Sequence, residues 1–385
     1  MTNITFTEEQ QAAIQAIKSW YTAFRAGLTR KQTFFLTGYA GTGKTTIARA
    51  AAEECVPNHR SIAYIAPTGK AAARLRDKGC EGARTLHSFA YNPRGEDEEG
   101  DPIFHEKDAL DILPLLVVMD EASMVGEYDF NAVSRHGIPI LALGDLGQLP
   151  PVKAPYSLTP DHVDFELTQI LRQKAESNII RAAGFVRQGK TLPDREYDDV
   201  RVRTGSADLD MLMEHSGEDA QILVSYNNTR VAINRRVREK LGFADSPIPQ
   251  IGEKVMCTFN QHKHGMMNGE QGIIIKFEDV PEYDIGANEP EDMMYVFLRS
   301  LTDGKTRKVK FNPASFSDDG EVAKEAVKAI GGFAYGYACT VHKSQGSEWP
   351  NVLVIDEPMG DVAKLRYTAY TRAATRLTVY RRAGR

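Results

Sequence analysis

Short apolar runs alternate with polar, alanine-rich segments along the first part of the chain. Mostly apolar runs of five or six residues lie at 33–37, 62–66, 115–119 and 138–143. Such runs are typical of strands buried on both faces of a parallel sheet. Residues 46–55 are rich in Ala and lack Gly and Pro, so they favour a helix. The alternation predicts an α/β fold.

The start of the chain and residues 85–89 extend this pattern. Apolar side chains spaced three or four residues apart between Ile14 and Phe24 predict a helix. Thr7 and Gln10 have the spacing of a capping box at its N-terminus. Residues 85–89 (TLHSF) alternate polar and apolar side chains, which predicts a further short strand.

The second part of the chain repeats the α/β pattern around a segment of different texture. Apolar runs at 220–225, 352–355 and 377–380 predict a second α/β layer without a nucleotide loop of its own. Between about 250 and 331, short alternating strands are separated by turn pairs such as Asn268-Gly269. This segment predicts a small inserted β-barrel, which either guides single strands or acts as a structural spacer.

Residues 92–106 interrupt the first α/β layer with Pro, Gly and a run of acidic side chains. They predict an exposed insertion, such as a small hairpin, which is either a passive loop or a functional one. The acidic run also changes how the formal net charge of −5 is interpreted. Five acidic residues between 96 and 101 account for all of it, so the remainder of the chain is neutral overall.

Two further features of the sequence indicate the cellular compartment of the protein. The first residues are polar, and no apolar run is long enough to span a bilayer, so neither a secretory signal nor a membrane segment is expected. Four Cys residues are scattered singly, without a metal-like or disulfide-like spacing. We therefore expect a cytoplasmic protein, in a bacterium or in a phage-infected host cell.

Residues 38–46 (GYAGTGKTT) match the phosphate-loop pattern G-x-x-x-x-G-K-[ST] between a predicted strand and a predicted helix. The glycines let the backbone wrap closely around phosphate oxygens, and the helix N-terminus favours an anion. Lys44 would reach the β- and γ-phosphates, and the Thr45 hydroxyl would ligate Mg²⁺. The alternative is a glycine-rich turn that contains Lys-Thr by chance. The context predicts a nucleoside triphosphate site.

Polar side chains also follow two later apolar runs. Asp120 would hold Mg²⁺ through water, and Glu121 would activate the attacking water. Gln148 either senses the γ-phosphate or is a turn amide that is satisfied locally. Gln10 either caps its helix or reads the adenine edge, and Thr68 either caps a helix or holds a DNA phosphate.

Two arginines of the later segments, Arg172 and Arg372, would stabilise transition-state charge on the γ-phosphate if they approach it. A lone Arg is more often part of a surface ion pair.

Taken in order, these motifs resemble those of superfamily 1 helicases, in particular the 5′-to-3′ subgroup that includes RecD and Dda. The resemblance rests on residues 38–46, 67–72, 120–123, 144–151, 171–173, 340–348 and 370–373. It implies an α/β fold of two RecA-like domains with two insertions. Residues 1–164 would form motor domain 1A with a pin-like insertion at about 91–107. Residues 165–249 with 332–385 would form motor domain 2A, and 250–331 an SH3-like β-barrel.

The resemblance also implies residue roles. Catalysis would use Lys44, Glu121, Gln148 and the arginine fingers Arg172 and Arg372. The nucleotide would be contacted by Gln10, Gly38, Gly41, Thr42, Gly43, Lys44, Thr45, Thr46, Gly346 and Glu348, and Mg²⁺ by Thr45 and Asp120. DNA would be contacted by Pro67, Thr68, Thr85, His87, Asn227, Asn268, Thr340, His342 and Lys343, with Phe104 as the candidate base-stacking residue.

The expected function is therefore an ATP- and Mg²⁺-dependent DNA helicase that moves 5′-to-3′ and acts in replication, recombination or repair. Its expected partners are single-stranded DNA, single-strand/duplex junctions and a single-strand-binding protein or replisome component, with the chain acting as a monomer. Three alternatives remain: a translocase that does not unwind, a phosphate-loop nucleoside or nucleotide kinase, and a nucleotide-switched binding module.

Overall fold

A computed structural model of the chain describes residues 5–96, 102–151, 155, 157–170, 177–258, 266–281, 293–316 and 332–381. One unit takes in Met1–Arg94 and Phe104–Lys190, and a second takes in Gly95–Ile103 and Thr191–Arg385. Within the described residues, no helix has both the length and the apolar character needed to cross a membrane.

The described part of the first unit and its hairpin contains eight strands and six helices. The strands are β1 (Thr33–Gly38), β2 (Ile62–Ala66), β3 (Arg84–Thr85), β4 (Tyr91–Glu96), β5 (Pro102–Glu106), β6 (Leu116–Met119), β7 (Ile140–Gly144) and β8 (Val163–Leu167). The helices are α1 (Glu8–Arg25), α2 (Lys44–Cys55), α3 (Gly69–Asp77), α4 (Leu86–Ala90), α5 (Glu127–Ser134) and α6 (Asn178–Arg187).

Six of these strands form one parallel sheet in the order β3-β2-β6-β7-β1-β8. Helices α1, α2 and α3 pack on one face of the sheet, and α4 and α5 pack on the other. Because both faces are covered, the four inner strands β2, β6, β7 and β1 bury nearly all their side chains, as the continuous apolar runs predict. The edge strands β3 and β8 are partly exposed. The predicted α/β architecture is confirmed for this unit.

The predicted strand at residues 85–89 is wrong, because helix α4 begins at Leu86. The Thr85 hydroxyl accepts a hydrogen bond from the Ser88 backbone N–H at 3.2 Å, which caps the helix. Leu86, Phe89 and Ala90 all become buried because they are three or four residues apart. In a strand, Leu86 and Phe89 would face opposite sides, but two apolar side chains in five residues give only a weak periodic signal, and the cap decides for the helix.

Strand β8 continues the first sheet beyond its predicted extent. It pairs in parallel with β1, with Leu36 opposite Phe165 and Gly38 opposite Leu167. The predicted domain boundary at residue 164 therefore lies inside β8. Strands β4 and β5 form a separate two-stranded sheet in the segment where the sequence indicates an insertion.

The described part of the second unit contains eleven strands and three helices. The strands are β9 (Arg195–Glu196), β10 (Val200–Thr204), β11 (Ala220–Val224), β12 (Lys254–Cys257), β13 (Gln271–Asp279), β14 (Met294–Ser300), β15 (Thr306–Phe311), β16 (Phe333–Tyr335), β17 (Ala338–Thr340), β18 (Trp349–Asp356) and β19 (Ala373–Arg381). The helices are α7 (Leu209–Glu214), α8 (Asn227–Lys240) and α9 (Val362–Tyr370).

These strands form two sheets. The first has the order β17-β11-β18-β19-β10-β9 and is parallel except for β9. The second is antiparallel, in the order β15-β14-β13-β12-β16, around a core that includes Val255, Leu298 and Phe311. Next to it, Glu253 is fully buried and pairs with Arg238 of α8 at 2.9 Å.

Candidate nucleotide site

The loop between β1 and α2 has a conformation that requires glycine. Gly41 and Gly43 have φ angles of +84° and +87°, in the left-handed region. A Cβ on Gly38 would lie 2.8 Å from the carbonyl oxygen of Leu167. Thr42 is fully buried, and its hydroxyl donates a hydrogen bond to the Tyr39 carbonyl at 2.9 Å. The loop is thus held in a tight turn at the N-terminus of α2, where an anion is favoured.

Lys44 folds back over this loop. Its Nζ donates hydrogen bonds to the Gly38 carbonyl at 2.8 Å and to the Tyr39 carbonyl at 3.0 Å. The ammonium group therefore lies at the loop backbone, within reach of a phosphate bound there. Its positive charge would offset the negative charge of a bound triphosphate, as the sequence predicts for this position.

Thr45 and Asp120 meet at the carboxyl ends of two strands. The Thr45 hydroxyl donates to Asp120 Oδ2 at 3.1 Å, and Asp120 Oδ1 accepts the Glu121 backbone N–H at 2.9 Å. A hydroxyl and a carboxylate are the hard oxygen ligands that suit Mg²⁺, which also binds substrate phosphates and water. The residues present therefore fit the ion. Lys78, which sequence reasoning missed, donates to the same hydroxyl at 3.3 Å.

Glu121 lies in an unusual backbone conformation. Its φ is +52°, and among the described residues no other non-glycine residue has a positive φ. Such a conformation costs about 1–3 kcal/mol and is found mainly at functional sites. It directs the chain from the end of β6 into a short 3₁₀ helix, Ala122–Met124. The strain is consistent with a catalytic role at this position.

Gln10 connects α1 to the glycine-rich loop. Its Oε1 accepts the Thr7 backbone N–H at 3.0 Å, and Thr7 Oγ1 accepts the Gln10 N–H, so the capping box is confirmed. In addition, Gln10 Nε2 donates to the Thr42 carbonyl at 3.0 Å. The amide is 4% exposed and braces the loop. Contact with adenine stays a prediction.

A turn after β7 carries Gln148. The Gln148 N–H donates to the Asp145 carbonyl at 3.0 Å, and its side chain is buried. The Asp145 carboxylate accepts a hydrogen bond from Arg187 Nη1 at 2.7 Å. Arg187 belongs to none of the sequence motifs, so sequence reasoning did not indicate it.

In the second unit, Arg372 lies against the segment that precedes β18. It is 4% exposed and donates to the Thr368 carbonyl at 3.0 Å and to the Ser347 carbonyl at 3.1 Å. Ser347 lies between Gly346 and Glu348 in the sequence, so Arg372, a predicted finger, contacts the segment that carries two predicted nucleotide residues. Arg172, the other predicted finger, lies outside the described residues.

Two predicted DNA residues of the first unit act as helix caps. The Thr68 hydroxyl, next to Pro67 at the end of β2, accepts the Ala71 N–H at 3.2 Å. Thr85 caps α4 in the same way. The capping interpretation of Thr68 is confirmed, the cap at Thr85 was not predicted, and contact with DNA stays a prediction for both.

Four rings form a group at the base of the β4–β5 hairpin. The His87 ring stacks on Tyr91 with centroids 5.2 Å apart, and it meets the Phe104 ring edge-on at 5.7 Å. Tyr128 stacks on Tyr91 at 6.4 Å. Phe104 is 40% exposed and Tyr128 is 67% exposed. The structure thus joins two predicted DNA residues, and it adds two tyrosines that the sequence did not single out.

Basic side chains gather at the carboxyl ends of β11 and β17. Partial burial, and then the charge of Arg230, lower the pKa of Lys343. Arg230 Nε in turn donates to Asn227 Oδ1 at 2.7 Å. Two neighbouring cations repel each other, and a bound phosphate would relieve that repulsion. Arg230 is a further residue that the sequence motifs did not indicate.

Three other predicted DNA residues lie around Lys343. The Thr340 hydroxyl accepts the Lys343 N–H at 3.4 Å. The turn at Asn268 and Gly269 lies next to Lys343, because a Cβ on Gly269 would be 3.8 Å from the Lys343 carbonyl oxygen. Burial lowers the pKa of His342, so this imidazole is neutral near pH 7. The structure therefore brings this group together.

Comparison with protein families and with known proteins agrees with this geometry. A family model described as AAA domain matches residues 6–206. A second model, described as UvrD-like helicase C-terminal domain, matches residues 335–380.

Among curated proteins, the chain is 29% identical over 371 residues to the ATP-dependent RecD2 DNA helicase of Deinococcus radiodurans, covering 89% of this chain and 46% of that protein. It is 29% identical over 222 residues to the ATP-dependent DNA helicase dda of Enterobacteria phage T4, covering 54% and 48% respectively. The chain spans less than half the length of these relatives.

Among solved structures, Bacteroides Pif1 bound to ssDNA is similar, with a TM-score of 0.59 and 21% identity over 98% of this chain and 92% of that chain. Pif1 helicase from Candida albicans is similar with a TM-score of 0.56 and 20% identity, covering 98% of this chain and 94% of that chain. These likenesses show a shared fold.

Proposed function

The chain belongs to the AAA domain family, and we propose that it is an ATP-dependent DNA helicase that moves 5′-to-3′ on single-stranded DNA. The relatives described as DNA helicases support the reaction class. The 5′-to-3′ direction is supported by the motif resemblance alone.

The observation that carries the proposal is the second parallel sheet. Its five parallel strands repeat the order of the first sheet, yet it carries Arg372 on the Ser347 carbonyl, at the amino ends of β18 and β19, and the glycine-rich loop of the first sheet lies at the carboxyl end of β1. A nucleoside kinase would need only the first sheet and its loop. A motor needs a second unit that responds to the nucleotide, and a buried Arg next to Gly346 and Glu348 is suited to that role.

In this mechanism, Lys44 and the N-terminus of α2 bind the triphosphate, and Thr45 and Asp120 hold Mg²⁺. Bound Mg²⁺ supplies charge neutralisation on the phosphates. Glu121 takes the proton of the attacking water, and Gln148 orients that water or the γ-phosphate. Arg372, together with Arg172, stabilises the charge that develops as the phosphoryl group leaves.

DNA would bind through two kinds of surface. The cations Arg230 and Lys343 suit phosphates, whereas the rings of His87 and Phe104 suit unpaired bases. The β4–β5 hairpin would then serve as the strand-separating pin, and the five-stranded antiparallel sheet as the SH3-like barrel. A single-strand-binding protein or replisome component remains the proposed partner of this cytoplasmic, monomeric enzyme.

Tailed duplexes test the function directly. The wild-type chain with ATP and Mg²⁺ should separate a duplex that carries a 5′ single-stranded tail and leave a 3′-tailed duplex intact. Single-stranded DNA should strongly stimulate its ATP hydrolysis. Stimulated hydrolysis without strand separation would establish a translocase instead. Transfer of phosphate to a nucleoside, with no response to DNA, would establish a kinase.

A further inference from the structure

Arg187 connects the glycine-rich loop with the turn that carries Gln148. This residue ends α6, and its Nη1 lies 2.7 Å from Asp145 Oδ1. Its guanidinium carbon lies 4.1 Å from the centroid of the Tyr39 ring. Tyr39 is the second residue of the glycine-rich loop, so one planar cation contacts both segments.

Asp145 connects Arg187 to the turn through hydrogen bonds. Its carboxylate is 1% exposed and also accepts the Gly147 N–H at 2.9 Å, while its carbonyl accepts the Gln148 N–H at 3.0 Å. Its own N–H donates to the Ser123 hydroxyl at 3.3 Å. The conformation of the turn therefore depends on a carboxylate whose charge Arg187 neutralises.

Gly147 shows how closely Arg187 packs on this turn. A Cβ on Gly147 would lie 2.7 Å from Arg187 Nη1 and 2.8 Å from Arg187 Cζ. The guanidinium thus fills the space beside the turn backbone. Three groups meet at one side chain: an aromatic ring of the phosphate loop, a buried carboxylate and the backbone that leads to Gln148.

We propose that Arg187 is a positioning residue of the nucleotide site, which holds the Asp145–Gln148 turn in register with the phosphate loop. This inference rests on the proposed function of that site. Without Arg187, the buried Asp145 carboxylate would lose the guanidinium that offsets its charge close to a loop that binds an anion, and it would repel the triphosphate. The turn would also lose the Arg187 contact that holds its backbone, and with it the position of Gln148.

The same geometry explains why an Arg is required here. Lys would retain a charge for Asp145, but it has no plane to stack on Tyr39 and only a single nitrogen to offer. Arg187→Lys should therefore separate the two effects, because it keeps the charge neutralisation and loses the stacking contact. Arg187→Gln should lose both.

The test compares Arg187→Gln, Arg187→Lys, Asp145→Asn and the double variant Arg187→Gln/Asp145→Asn. The matched control is Arg181→Gln, which removes an exposed charge from the same helix. Two quantities are measured for each: the DNA-stimulated rate of ATP hydrolysis, and the affinity for a fluorescent ATP analogue with Mg²⁺. Melting temperatures identify any variant that does not fold.

We expect Arg187→Gln to lower kcat by about 10²-fold, since a small misplacement near the reacting atoms has an effect of that size. It should also weaken binding of the analogue. In the double variant the binding should recover, because the negative charge of Asp145 is removed together with the guanidinium, whereas kcat should stay low. Arg187→Lys should bind nearly as well as wild type with an intermediate kcat.

Two results would overturn the proposal. One is that Arg187→Gln matches Arg181→Gln in both kcat and binding. The other is that the effects of Arg187→Gln and Asp145→Asn simply add, since residues that act together must show coupling. If Arg187→Gln does not fold, Arg187→Lys and Tyr39→Leu decide by the same comparison. Absence of strand separation by the wild type would refute the helicase function, yet the binding measurements would still decide the role of Arg187.

Discussion

The two parallel sheets of this chain have the same architecture and different chemistry at their carboxyl ends. In the first, β1 leads through a glycine-rich loop into α2, with Gly43 in the left-handed region at the helix start. In the second, β10 has the position of β1 in the strand order and leads into α7, whose N-terminus is capped by the Asp208 side chain at the Met211 N–H. A shared fold therefore does not imply a shared function, because the loops at the strand ends carry the chemistry.

Each sheet also holds one cation on its own backbone. Lys44 Nζ donates to the carbonyls of Gly38 and Tyr39, and Arg372 donates to those of Thr368 and Ser347. Lys44 is thus held at the phosphate loop, and Arg372 is held between the last turn of α9 and the segment before β18. In both places a bound phosphate would compete with the carbonyls for the cation. The comparison suggests that the first sheet binds the nucleotide and the second completes catalysis. The following experiments test that division, from the largest expected effect to the smallest.

Arg372→Ala should lower the rate of ATP hydrolysis by about 10³–10⁵-fold, the effect of removing an arginine finger. Affinity for ATP should change little, because binding belongs to the first sheet. Stopped-flow hydrolysis and equilibrium binding measure the two. Arg376→Ala is the control, since it removes an exposed Arg of the same unit that, among the described residues, pairs only with the exposed Glu214 side chain and does not contact Ser347. Parallel loss of hydrolysis and binding in Arg372→Ala would instead indicate a structural role.

Glu253→Gln should destabilise the second unit alone, by about 3–5 kcal/mol, because it leaves Arg238 as a buried and unpaired charge. Trp20 lies in the first unit and Trp349 in the second, so Trp20→Phe and Trp349→Phe backgrounds allow urea unfolding of each unit to be followed by fluorescence. The control is Glu54→Gln, whose exposed partner Lys18 implies a change of about 0–1 kcal/mol. Equal effects on both fluorescence signals would mean that the units do not unfold separately.

Lys44→Ala should lower the DNA-stimulated ATPase rate by about 10²–10³-fold, the typical effect of removing one group that stabilises developing charge. Unlike Arg372→Ala, it should also weaken binding of the ATP analogue. Lys18→Ala serves as the control, because it removes a partly exposed Lys from α1 in the same unit, where its partner is the exposed Glu54 side chain. Retention of stimulated hydrolysis in Lys44→Ala would refute the assignment of the loop.

Phe104→Ala should weaken binding of a forked junction by about 1–3 kcal/mol, the value of one base–aromatic stack, at any salt concentration. Lys343→Gln in the second unit should weaken binding mainly at low salt and reduce the slope of log K against log salt by about 1. Binding is measured by fluorescence anisotropy at salt concentrations between about 50 and 200 mM. The salt dependence distinguishes the loss of a stacking contact from the loss of a phosphate contact. If both variants shift the salt slope equally, ring stacking is not the role of Phe104.

Much of this could be predicted from the sequence, and the exceptions have physical causes. The strands were predictable because both faces of a parallel sheet are buried, which leaves continuous apolar runs such as 115–119. Helix α4 was not, because five residues are too few to distinguish the two periodicities and the Thr85 cap acts through geometry. Gln10 shows a third case, in which one amide both caps α1 and braces the loop at Thr42.

The sequence by itself determined the phosphate loop, the Asp120–Glu121 pair and the two parallel layers, because each depends on residues that are near one another in the chain. Only the tertiary structure decided which distant side chains join them. Arg187 lies 42 residues after Asp145, and Lys78 lies 33 residues after Thr45. No local pattern marks either one, since a lone Arg or Lys acquires its role from the group that the fold places beside it.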